Sequence, residues 1–190
     1  MRVSLRFTVI VVLALLFLGG PSLIRFYTDW LWFGEVGYQQ VFTTILRSQA
    51  SLFTITFVAA VLWLVFNLRL ALGSMREGRP VFTTQQGIEV ALPGRQQLQT
   101  IASAIAMILA GLIGLYASSQ WETWVMWRNA VPFGQQDPIL GYDVGFYVFS
   151  IPLLQLVRGI GQTLVIMAAL GAGAIYALSG MFLTGPFSVL

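Results

Sequence analysis

The sequence contains no cysteine and no histidine. Disulfides and thiolate metal sites are therefore excluded, and so is the commonest general base and metal ligand. It contains no lysine either, since all ten basic residues are arginine. Charged residues make up only 9% of the 190, where a soluble domain carries about a quarter. Too few charges are present to cover a water-facing surface, so much of the solvent around this chain is lipid. The net charge of +3 comes without any basic run. That suits anionic headgroups and gives no case for nucleic acid.

What the chain has in place of charge is apolar length: 57% of its residues are hydrophobic. Four charge-free runs are each long enough, at 1.5 Å per residue, to cross a hydrocarbon core of about 30 Å. They place spans at about 7–24, 48–68, 98–119 and 160–183. The first follows Arg2 and Arg6 as a signal peptide would, but Gly19-Gly20-Pro21 is a poor cleavage site, so we read a retained helix. The fold class expected is an all-α membrane protein. It is a single transmembrane domain over 1–190, with about four transmembrane helices and aromatic interfacial segments in its outer connectors.

Small residues recur every fourth position in the third run, at Ala102, Ala106, Ala110, Gly114 and Ser118. The fourth run repeats the pattern at Ala169, Gly173 and Ala177. Small faces let helix backbones approach closely in lipid, where close packing drives association. Both stripes are therefore expected helix-packing faces.

The connectors differ in kind. Residues 69–95 carry four arginines and the turn signals Gly78-Arg79-Pro80 and Pro93-Gly94, as a solvated connector would. Residues 25–47 are broken by Gly34 and Gly37 and are rich in aromatics, among them Trp30, Trp32 and Tyr38. Such rings collect at the membrane–water boundary. Residues 120–158 begin WETWVMWR, which spaces Trp121, Trp124 and Trp127 along one helix face, either as an interfacial amphipathic turn or as the aromatic belt that ends a span. Six arginines fall on the side of the N-terminus and of 69–95, and four on the side of the two aromatic connectors. This bias orients the N-terminus to the cytoplasm and the connectors 25–47 and 120–158 outward, in the cell (inner) membrane.

The least generic stretch is Pro132–Val157, PFGQQDPILGYDVGFYVFSIPLLQLV. Asp before Pro138 favours a turn, and Pro152 suits a first helical turn. Tyr142 and Tyr147 add to the interfacial aromatics. Asp137 and Asp143 are the candidate ligand pair of this outer loop, able in principle to hold Ca²⁺ with loop carbonyls. The EF-hand spacing is absent, however. The competing reading makes Asp137 an Asx-type turn and leaves Asp143 to cap or face solvent.

DWLWFGEVGYQQVF and PFGQQDPILGYDVGFYVFSIPLL resemble the bacterial membrane proteins grouped as uncharacterised protein family 0182. The intervening spans fall in the corresponding order. The resemblance implies several N-terminal spans followed by a large extracytoplasmic domain, and it implies no established activity. A chain that closes on PFSVL directly after a span reads as the N-terminal membrane portion of something longer.

Three function classes remain. Without a nucleophile–base pair, the chain is expected not to be an enzyme, with no catalytic residue, metal site or cofactor. Transport or channel activity would be marked by ionisable groups inside spans, and the four runs hold none. The favoured expectation is a structural or accessory subunit of a larger membrane complex, a photosynthetic or respiratory assembly being one setting. Its partners would be the bilayer, other membrane subunits, and lipid or pigment at the helix faces. Part of a transporter or channel is the alternative, and an N-terminal anchor for an extracytoplasmic domain is the second.

Overall fold

The computed structural model describes residues 5–73, 81–83, 89–91 and 94–178. Five α-helices run through them: α1 Leu5–Glu35, α2 Gln39–Gly73, α3 Arg95–Ser119, α4 Trp121–Arg128 and α5 Ile151–Leu178. A π-helical turn at Phe146–Ser150 leads into α5. Between α2 and α3, β1 (Val81–Thr83) pairs antiparallel with β2 (Glu89–Ala91), Val81 opposite Ala91. This small ladder departs from the all-α expectation, and β-branched Val81, Thr83 and Val90 suit it. Arg2, Arg76, Arg79, the turn at Gly78-Arg79-Pro80, Pro93, the end of the expected fourth span at 179–183 and Gly185-Pro186 lie outside the described residues.

Three helical stretches are long and apolar enough to cross a membrane among the described residues: Gln39–Gly73, Arg95–Ser119 and Phe146–Ala177. At most 22% of the most apolar window of each is buried. Ile105, Ile108 and Leu112 of α3 and Val165, Ile166 and Leu170 of α5 are exposed. A continuous apolar surface of this kind is untenable in water and is what lipid requires. This is a membrane protein.

The chain divides into two compact units at Arg47. In the first, the glycines expected to break the segment 25–47 act differently. Gly34 is helical, and α1 passes through Gly19, Gly20 and Pro21 without ending. The break comes at Gly37, whose φ of +75° only glycine adopts cheaply. The Tyr38 N–H donates to the Phe33 carbonyl at 3.0 Å and the Gly37 N–H to the Gly34 carbonyl at 3.3 Å, the pairing of a Schellman stop. The expected connector is thus the last turns of α1, a three-residue turn and the first turns of α2. Phe42, buried, closes the hairpin. Its ring lies 5.5 Å from those of Phe26 and Phe33 and 5.7 Å from that of Trp30. Trp30, Trp32 and Tyr38 keep exposed surface.

In the second unit the core is Leu68, Ala71, Leu72, Leu98 and Ile175, with Ala102, Ala172 and Tyr176 against it. On the small stripe of α3, Ala106, Ala110 and Gly114 are buried, while Ala102 and Ser118 are half-buried. Ala117 is buried where Ser118 is not. A four-residue step overshoots a full turn by about 40°, so a strict four-residue stripe drifts off its contact and a three-residue step restores it. On α5 the expected stripe faces outward. Ala169, Gly173 and Ala177 are exposed, and α5 instead turns Ala172, Ile175 and Tyr176 inward.

Gly114 marks the closest approach. A Cβ there would stand 3.0 Å from the Phe53 ring and 3.3 Å from the Phe53 carbonyl oxygen, whereas one at Gly111 would meet nothing within 4 Å. Gly114→Ala should therefore destabilise the protein by about 1–3 kcal/mol. Gly111→Ala should be neutral or stabilise it by up to about 1 kcal/mol. Unfolding of the two variants in detergent checks the contrast.

Candidate functional site

The segment from Asn129 to Ser150 holds the rare residue types of this chain, and its order comes from side chains in place of regular ladders. Asn129 stops α4, its Nδ2 donating back to the Val125 carbonyl at 2.8 Å. The strand-like pair Gln136 and Asp143 then faces across a narrow loop. The Val144 N–H donates to the Gln135 carbonyl at 2.9 Å, and the Asp137 N–H to the Tyr142 carbonyl at 2.8 Å. Gly134 and Gly141 each sit at φ +72°, a left-handed conformation that side chains resist.

Asp143 clasps the base of the loop. Its Oδ1 accepts from the Phe133 N–H at 3.0 Å and the Gly145 N–H at 2.6 Å, and its Oδ2 from the Gly134 N–H at 2.8 Å. Those backbone donors hold its carboxyl below the ordinary 3.8, the Phe133 amide first. Asp137 clasps the tip. Its Oδ1 accepts from the Ile139 N–H at 2.9 Å across Pro138, an Asx turn. Its Oδ2 accepts from the Tyr147 hydroxyl. That hydroxyl, then the Ile139 amide, holds Asp137 below its ordinary value.

The π-helical turn carries Tyr147 to this position. The Ile151 N–H reaches back five residues to the Phe146 carbonyl. Pro152, one residue on, has no N–H with which to continue an α ladder backward. The widened turn ends there and α5 begins, with Pro152 in its first turn as the sequence suggested. Phe133 stacks on Phe149 at 5.8 Å, and Tyr142 on Phe146 at 4.9 Å. In α4 the Trp124 and Trp127 rings meet at 5.3 Å, with Trp121 half-buried.

The candidate ligand pair is therefore brought into one loop, but each carboxylate is directed at its own chain. Every oxygen of Asp137 and Asp143 accepts from a protein donor. Among the described residues, no group of three or more acidic side chains could hold a metal ion. The arrangement is that of a loop whose carboxylates are satisfied by its own donors. The competing sequence reading, an Asx-type turn at Asp137 with Asp143 capping or facing solvent, is the one these hydrogen bonds resemble. It missed Tyr147 as a partner and Gly145 as a constraint. The signal available was spacing: Tyr147 stands ten residues beyond Asp137, and Gly145 two residues beyond Asp143.

A family model, uncharacterised protein family UPF0182, matches residues 6–188. The chain belongs to UPF0182. Similar UPF0182 proteins occur in Salinispora arenicola, 36% identical over 85% of this chain and 16% of the relative. In Geobacter sulfurreducens the figures are 37%, 84% and 18%. In Corynebacterium efficiens they are 37%, 93% and 17%. The chain thus spans less than a fifth of the length of these UPF0182 relatives. No solved structure matches it.

Two outcomes are expected of the clasped loop. A Cβ on Gly145 would lie 2.8 Å from both Asp143 Oδ1 and the Val131 carbonyl. Gly145→Ala should therefore cost about 1–3 kcal/mol, read by thermal unfolding. Both carboxyls titrate lower folded than unfolded, so their contribution is full above the unfolded value and is lost as pH falls through the folded one. Hydrogen exchange at the Phe133, Gly134 and Gly145 amides, taken relative to the intrinsic rate at each pH, should stay slow down to about pH 5 and lose its protection only as pH falls below the ordinary carboxyl value of 3.8. Asp143→Asn should make it fast already at neutral pH.

Proposed function

We propose that this portion of UPF0182 is a structural or accessory element of a larger assembly in the bacterial inner membrane. It crosses the bilayer four times. The additional crossing is the charge-free run 7–24 of α1, about 27 Å long. The N-terminus lies in the cytoplasm and the loop after α4 lies outside.

The observation that carries this reading is the exposed small-residue face of α5, Ala169, Gly173 and Ala177, on a helix whose other side already packs on Leu98. In lipid, a face of this kind gains most from the close approach of another helix. The loop supports the reading by being closed on itself, and we assign it no catalysis and no cofactor. Asn67 and Thr163, polar groups inside the spans, return their hydrogen bonds to the Trp63 and Gly159 carbonyls of their own helices. That disfavours a polar path and hence transport. A second reading, an anchor for an extracytoplasmic domain of the same polypeptide, is favoured by the short share of its relatives that the chain covers.

The absence of cysteine makes the test clean. Gly173→Cys should cross-link to another membrane protein in native membranes, and Gly173→Leu should shift the native complex to smaller size. Cross-linking within one polypeptide would favour the anchor, and a chain that stays monomeric throughout would remove the accessory reading. For orientation, Ile139→Cys at the 88% exposed loop tip should react with an impermeant maleimide in intact cells. Gly94→Cys should react only after permeabilisation.

A further inference from the structure

The helices α3 and α5 run antiparallel and touch, yet a cleft of about 360 Å³ stays open along their seam. Leu64 and Leu68 of α2 close its third side. Its walls are small where close packing would have been expected: Ala102 and Ala106 from α3, Ala168, Gly171 and Ala172 from α5. The one polar side chain in the lining, Asn67, has its amide bonded to the Trp63 carbonyl at 2.8 Å. Water finds too few partners there. A flexible apolar chain fits.

One end of the cleft is charged. Arg95 opens α3 and is exposed. It lies seven and eleven residues before Ala102 and Ala106, two and three turns below them on the same helix face. The N-terminus of α3 adds the positive end of its dipole.

We propose that this cleft holds an acyl chain of an anionic phospholipid whose phosphate sits at Arg95 and the start of α3. The proposal rests on α3 and α5 spanning the bilayer, and in the orientation above the lipid belongs to the cytoplasmic leaflet. A zwitterionic lipid could supply the same chain, but the basic end selects the anionic headgroup.

The test uses the full chain in nanodiscs of equal phosphatidylglycerol and phosphatidylcholine, with the lipid that stays bound on release weighed by native mass spectrometry. Phosphatidylglycerol should be retained in preference. Arg95→Gln, an exposed change that spares the fold, should lower that preference about fivefold while a lipid remains bound. Gly171→Leu places its side chain where nothing lies within 4 Å and should abolish retention of both lipids. Gly173→Leu, equally open but outside the cleft, should leave retention unchanged. Equal retention of the two lipids, an unaltered preference in Arg95→Gln, or a change of oligomeric state in place of lipid loss in Gly171→Leu would each overturn the proposal. A chain that fails to insert overturns it together with the spanning reading, whereas one that inserts and shows no preference overturns the lipid site alone.

Discussion

Inside hydrocarbon no water is present to satisfy a stray backbone N–H or C=O, and each one left open costs several kcal/mol. The architecture of this chain follows from that constraint. Its apolar runs can only be helices, and they continue past the lipid boundary: α2 is 35 residues long where about 20 would span. The same constraint directs the hydroxyl of Thr163 and the amide of Asn67 back to their own helices.

Once every span is a helix, the remaining question is how spans meet. Lipid tails are as apolar as leucine, so no hydrophobic contrast drives helices together. Close approach does, and it is available where side chains are small. Gly114 against Phe53 is the tightest such point, and Ala110 and Ala117 are fully buried on the same face. Where small residues face one another without closing, as Ala102 and Ala106 do towards Ala172, a cleft results. An occupant then supplies the dispersion contacts that the helices forgo.

The loop after α4 obeys the opposite logic. It is polar enough to avoid hydrocarbon and too broken by Pro132, Pro138 and Gly141 for a ladder, so two carboxylates take over the pairing of its backbone. Asp143 collects three N–H groups and Asp137 one more plus a phenol. A carboxylate has several lone pairs and forms charge-assisted bonds of about twice the neutral strength. Two acids suffice to order a loop that would otherwise need a sheet.

Run length by itself pointed to the three helices that are long and apolar enough to cross a membrane, because an uncharged stretch of about 20 residues has one viable solution in a bilayer. The long motifs around Trp30 and Asp137 determined the family, and Asp137-Pro138 announced its turn. Tertiary structure alone decided that Gly37 and not Gly34 ends α1, that Tyr147 reaches Asp137, and that α5 packs through Ile175 while Gly173 looks outward. The reason is physical. In a soluble helix, the apolar face declares the inside, because water is the alternative. In a membrane helix both sides are apolar, so periodicity reveals where a close approach is permitted, and only the neighbouring helices decide which permitted face is used.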